Sequence, residues 1–162
     1  MGDRRAAAKR LQNMLKEEQE KSSAYYNCGL IDNDLFHWRV MIIGQPGTLY
    51  ADGFFPAELT FPDDFPMSPP KMKFTCPMWH PNIGKDGTVC ISILHPPGND
   101  EYDYEKASER WLPIHTLESI IISVISMLED PNPESPLNIE ANRDYLQNRA
   151  EYNRKVRRTG GR

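Results

Sequence analysis

Apolar residues recur at every second position in three consecutive runs of this chain, and that period limits its fold more than any other feature. In "LFHWRVMII", Phe36, Trp38, Val40 and Ile42 alternate with Leu35, His37, Arg39 and Met41. In "FFPAELTF" the alternation runs through Phe55, Ala57, Leu59 and Phe61, and in "KMKFTC" through Met72, Phe74 and Cys76. A period of two places successive side chains on opposite faces of a strand. Both sets of the first run are largely apolar, so that strand is expected to be covered on both faces. "GQPGT" ends it in a turn. Pro56 cannot donate to a ladder, which puts that end of the second run at an edge or a strand start. "FPDDFPMSPPK" holds four prolines and reads as extended loop. Strands joined by short turns form an antiparallel meander more readily than a crossover sheet.

Helical spacing flanks these runs. In "DRRAAAKRLQNMLKEEQEK", Ala7, Leu11, Met14 and Leu15 share a face, with Asp3 as cap. In "TLESIIISVISMLED", Leu117, Ile120, Ile121, Val124 and Leu128 share another, with Thr116 as cap and Pro131 as stop. A last helix is expected over "NIEANRDYLQNRAEYNRKV". Helix, strands, a long loop region and helices in that order make an α+β layered domain. The 162 residues suit one domain, with a core from about 5 to 153 and a flexible basic tail from about 154 to 162. A net charge of -4 argues against a nucleic-acid partner. No run is long and apolar enough to span a membrane, and no apolar signal segment follows the basic N-terminus, so the chain reads as intracellular. The acidic stretch 99–105 is the one compositionally biased segment.

Three cysteines without a CxxC pair give neither a disulfide framework nor a zinc pattern, and no metal is expected. Cys28 and Cys76 read as packing residues, Cys76 on the buried face of its strand. Cys90 lies ten residues after His80, beyond a His-Pro-Asn run and a Lys-Asp-Gly-Thr turn. Taken alone it could pack, bind a metal or attack a carbonyl. A thiol attacks as thiolate, and its ordinary pKa is about 8.5, so hydrolases keep a histidine against it. His80 and His95 are the candidates, since His37 is mid-strand and His115 opens a helix. Neither comes with a recognisable Asn/Asp partner, and "CISILHPP" lacks the arginine of a phosphatase loop. A nucleophile without a triad suits a carrier, whose thioester must survive water.

"HPN" at 80–82, Cys90 with "ISIL" after it, Trp111-Leu-Pro, "DPNPESPLN" from Asp130 and the proline-rich loop together resemble the ubiquitin-conjugating enzymes. "GLIDNDLFHWRVMIIGQPGTLY" and "YEKASERWLPIHT" resemble the G type, which has an extra loop between cysteine and tryptophan, matched by 95–109. The resemblance covers about 5 to 153. It implies an N-terminal helix, a four-stranded antiparallel meander and C-terminal helices. It also implies that Cys90 accepts ubiquitin from an activating enzyme as a thioester. A substrate lysine then takes it, with a RING-type ligase holding the pair, and polyubiquitin chains are expected. ATP is used on the activating enzyme, so no cofactor is expected here. The cytoplasm is the expected location, with the nucleus or partner-mediated membrane recruitment also open.

Residue by residue, the resemblance makes Asn82 an oxyanion donor as well as a loop pin, with His80 and Pro81 structural. At the rim the family often has an acid where this chain has Ser135. Glu134 supplying the carboxylate, Ser135 orienting the amine, and the acidic residues Asp100, Glu101 and Asp103 are the alternatives for handling the lysine's proton; His95 belongs to the rim by its place at the start of the loop, with no role assigned to it. Met67, Trp111, Leu112, Pro113 and Ile114 match the ligase-facing loops, Lys9 and Arg10 the side facing the activating enzyme, and Ile122 the side facing the carried ubiquitin. A binding-only variant of the fold would lack the cysteine, which this chain keeps. A carrier of another small modifier is the remaining competitor.

Overall fold

A computed structural model describes residues 4–96 and 110–162. Asp3 and the acidic positions Asp100, Glu101 and Asp103 lie outside the described residues. Helix α1 (Arg4–Gln19) buries Ala7, Leu11 and Met14, as the spacing predicts. It leads into β1 (Tyr26–Ile31), β2 (Asp34–Ile43), β3 (Phe54–Thr60) and β4 (Lys71–Phe74). The four strands form one antiparallel sheet in sequence order. Helices α2 (Leu117–Glu129), α3 (Ile139–Gln147) and α4 (Arg149–Arg157) follow. The meander and both flanking helical regions are therefore present.

One face of the sheet and the apolar faces of α1 and α2 close a single core. Trp38, Val40, Phe55, Ala57, Leu59, Met72 and Phe74 meet Leu117, Ile120, Ile121 and Val124 there. Thr116 caps α2 as expected: it accepts from the Ser119 backbone N–H, while Ser119 Oγ accepts from the Thr116 N–H.

Several expectations are corrected. β2 is covered on one face only. Leu35, His37 and Met41 are half-exposed and Arg39 is exposed, because β2's second face carries the polar pair His37–Glu58 and not a further layer. β4 stops at Phe74, so Cys76 lies in the bend beyond it, its Sγ 3.7 Å from Met78 Sδ. The single last helix is two. Asn148 ends α3 by donating its N–H to the Asp144 carbonyl, and its side chain accepts from Glu151 N–H to begin α4. The tail is not loose. Gly160, at φ +77°, lies under Phe55, where a Cβ would fall 2.5 Å from the ring. Its carbonyl accepts from Phe54 N–H at 3.0 Å. Arg162 donates to the carbonyls of Leu49, Ala51 and Val156 at 2.7, 2.9 and 2.9 Å. Hydrogen bonds and packing tie down this end of the chain.

Candidate active site

The site begins at a turn on β4. Asp86 accepts from the backbone and hydroxyl of Thr88 at 3.0 and 2.9 Å, and these bonds hold its carboxyl below the usual range. Gly87, at φ +95°, sits against the Phe74 carbonyl, where a Cβ would collide at 2.0 Å. Its own carbonyl accepts from Phe74 N–H at 2.8 Å. This close seating delivers the chain to Cys90, whose N–H donates to the Asn82 carbonyl at 3.0 Å. The Cys90 thiol is half-buried.

Asn82 joins two loops. It is 2% exposed, and its side chain makes three hydrogen bonds. The amide N–H groups donate to the carbonyls of Asn132 and Ser135 at 2.8 and 3.2 Å. The amide oxygen accepts from Asn132 N–H at 2.8 Å. The Pro81 carbonyl adds two more ties, from Leu137 N–H and Asn138 N–H at 2.8 and 3.1 Å. The rim loop with Glu134 and Ser135 is thereby fastened to the loop that holds Cys90. Glu134 is exposed and Ser135 half-buried.

His80 is fully buried. Its Nδ1 accepts from Asn82 N–H at 2.9 Å, and Nε2 faces the Met127 carbonyl at 2.8 Å. A donor on one nitrogen and an acceptor on the other fix the neutral tautomer protonated at Nε2. Burial lowers its pKa to about 4, the Met127 carbonyl opposing in part.

His95 is different. A 3-10 turn at Ser92–Leu94 folds the chain back after Cys90, and His95 N–H donates to Ser92 O at 2.9 Å. The His95 Nε2 then stands 3.6 Å from Cys90 Sγ. The sequence argument expects no base beside the thiol, and the structure puts an imidazole there. At the other cysteines burial raises the thiol pKa, at Cys28 to about 11 with help from Glu18, and at Cys76 upward. Both are held away from the reactive thiolate. Among the described residues no group of His, Cys, Asp and Glu is arranged to hold a metal.

The residues matched to the ligase-facing loops divide. Met67 and Ile114 are 64% and 78% exposed, and Leu112 is exposed beside half-buried Pro113. Trp111 does not face outward at all: it is fully buried. Its Nε1–H donates to Pro66 O at 2.8 Å, and its ring lies 5.9 Å from Phe65 and 5.4 Å from His115. It is the pillar that sets the two exposed loops side by side. Arg10 on α1 donates to the Pro113 carbonyl at 3.2 Å, and Lys9 next to it is exposed. Ile122 is 44% exposed on α2, off the buried face.

The ubiquitin-conjugating enzyme family model matches residues 10–159 of the chain. The Schizosaccharomyces pombe protein "Ubiquitin-conjugating enzyme E2 15" is 54% identical over 154 residues, covering 94% of this chain and 92% of its own length. "Ubiquitin-conjugating enzyme E2 14" of Arabidopsis thaliana is 54% identical over 149 residues, 91% of this chain and 89% of its own. The human "Ubiquitin-conjugating enzyme E2 G2" is 49% identical over 121 residues, 75% of this chain and 73% of its own.

Proposed function

The chain belongs to the ubiquitin-conjugating enzyme family, and from that premise we propose that it carries ubiquitin on Cys90 and builds ubiquitin chains with a RING-type ligase. The observation that carries the reading is the tie from the Cys90 N–H to Asn82, and from the Asn82 side chain to the rim loop at Asn132 and Ser135.

In charging, the Cys90 thiolate attacks the thioester carbonyl of ubiquitin held by the activating enzyme. A new C–S bond forms at Cys90 and the activating enzyme's cysteine leaves as thiolate. His95 Nε2, 3.6 Å from Sγ, takes up the thiol proton. In discharge, a lysine amine attacks the same carbonyl carbon. The carbonyl oxygen becomes an oxyanion, the C–N bond forms, and the C–S bond then breaks to release Cys90 as thiolate. The imidazole beside the sulfur receives the amine's proton. Asn82 serves this step from its strut position: the N–H on Ser135 O, the longer of its two bonds, turns to the oxyanion. Glu134 and Ser135 orient the incoming amine from the rim. Met67, Leu112, Pro113 and Ile114 receive the ligase, Lys9 and Arg10 the activating enzyme, and Ile122 the folded-back ubiquitin. The chemistry is complete with protein groups alone, ATP acting on the activating enzyme. The cytoplasm and nucleus suit this work, and a partner would supply any membrane attachment.

The test is reconstitution. With activating enzyme, ATP and ubiquitin, a thiol-labile adduct forms, and added lysine consumes it. A small ubiquitin-like modifier with its own activating enzyme gives no adduct. Charging with that modifier and not with ubiquitin would overturn the proposal.

A further inference from the structure

The charges of this chain are unevenly placed. Residues 149–162 hold six basic residues and one acid, which leaves 13 basic and 22 acidic residues for the rest. An acidic protein thus ends in a strongly basic block, and such asymmetry points to an anionic partner. Part of the block is engaged within the fold. Arg154 bonds to Glu151, and Lys155 bonds to Asp144 at 2.8 Å and lies over the Trp79 ring. Arg149 donates to the Tyr145 carbonyl and stacks on its ring. Arg157 and Arg158 are different. Both are exposed at the end of α4, and among the described residues no salt bridge holds either. Arg162 donates to the carbonyls of Leu49, Ala51, Val156 and Thr159, which carry no net charge. Asp52 is exposed beside that turn, but one carboxylate does not balance three guanidinium groups.

An apolar ring stands among these charges. Phe54 N–H donates to the carbonyl of Gly160, two residues past Arg158, yet its side chain is 56% exposed. Strand alternation turns Phe55 into the core and Phe54 away from it. One exposed aromatic is ordinary by itself; here it lies next to uncompensated arginines. We propose that the end of α4 and the start of β3 form a face that meets an anionic lipid surface, with the arginines on the headgroups and the Phe54 ring in the interface. Lipid answers both features at once, since negative headgroups lie directly over an apolar layer. An acidic polypeptide answers the charge alone. Three arginines and one ring give a reversible contact and not an anchor. The face sets which side of the protein turns to a membrane when a partner holds it there. No covalent step is involved, and the proposal stands apart from the thioester reading.

The experiment is co-sedimentation of the full chain with vesicles of phosphatidylcholine, with and without phosphatidylserine. Binding is expected only to the vesicles with phosphatidylserine, and it weakens with added salt. Each arginine near such a surface contributes about fivefold in affinity, so Arg157→Gln/Arg158→Gln should weaken binding roughly twenty-five-fold. Phe54→Ser should weaken it severalfold at every salt concentration, because its contribution is not one of charge. Both variants change exposed side chains, and charging on Cys90 is expected to stay as in the parent. Equal binding to the two vesicle types, or unchanged binding of the double arginine variant, overturns the proposal. So does a polyglutamate peptide that binds parent and Phe54→Ser alike while neither vesicle binds, since the partner would then be an acidic protein segment.

Discussion

His80 is held neutral because one nitrogen must donate and the other must accept. The folded-state pKa is lowered to about 4 by burial, whereas an unfolded histidine titrates near ~6.5. Below that value the unfolded chain takes up a proton that the folded chain refuses. The stability tied to neutral His80 is therefore full above pH ~6.5 and is lost as pH falls toward 4, about 3 kcal/mol in all. An NMR titration of the ring should show no protonation until pH approaches 4. A midpoint near 6.5 would contradict the buried strut. At Asn82 the expected outcome for Asn82→Ala is some loss of thermal stability with discharge slowed about a hundredfold, well beyond any effect on charging. Charging and discharge impaired equally would leave only the strut. His95→Ala should slow discharge to lysine at least tenfold near neutral pH, with the gap closing as pH rises toward the amine's own pKa of about 10.4. A pH-independent gap would exclude proton transfer. Cys90, Asn82 and His80 are legible in sequence because their spacing is distinctive. His95 is half-legible: its nearness in sequence is plain, but the 3-10 turn that aims its ring at Sγ has no composition signal. Trp111 is misread for a related reason, since an apolar residue in a loop looks available until its indole is seen bonded to Pro66 O.

Elements with one clean period are the ones readable in advance. α2 has six buried positions at helical spacing and a capping box. β1 has none of this: only Tyr26 is buried along its length, so no alternation announces it. Its pairing with β2, from Tyr26↔Ile42 to Leu30↔Trp38, is supplied by the backbone ladder of its neighbour. The division at Asn148 is equally quiet, because the residues on both sides are good helix formers and one asparagine side chain decides the break. On α2, Ile122→Asp should leave folding and charging intact, since the side chain is 44% exposed, and slow discharge to lysine. An unchanged discharge rate would remove that face from the ubiquitin contact. In the loops, Trp111→Phe keeps the ring but loses the bond to Pro66 O. Ligase-stimulated discharge should fall more than ligase-free discharge, and equal loss in both would mean that the indole only stabilises the core.

Across the whole molecule, the last residues fold back on the start of β3. Gly160 has a positive φ and no room for a Cβ, so Gly160→Ala should destabilise the protein by about 1–3 kcal/mol. Thermal or urea unfolding reads this directly, and an unchanged midpoint would mean that the end of the chain is not docked as described. Glycines and a terminal arginine look like a loose tail in sequence because their partners, Phe54, Phe55 and the 49–51 turn, are a hundred residues away. Long-range closure also completes the site. The stretch 80–95 brings His80 to Asn82, Cys90 and the 3-10 turn together locally, and the rim loop, some fifty residues further on, is fastened to it by the Asn82 side chain and the Pro81 carbonyl. The measurement that tests this most directly is charging with ubiquitin across cysteine variants, resolved on a non-reducing gel. The account predicts a thiol-labile adduct for the parent, Cys28→Ser and Cys76→Ser, a slower thiol-resistant oxyester for Cys90→Ser, and none for Cys90→Ala. A Cys90→Ala protein that still forms the thiol-labile adduct would contradict it.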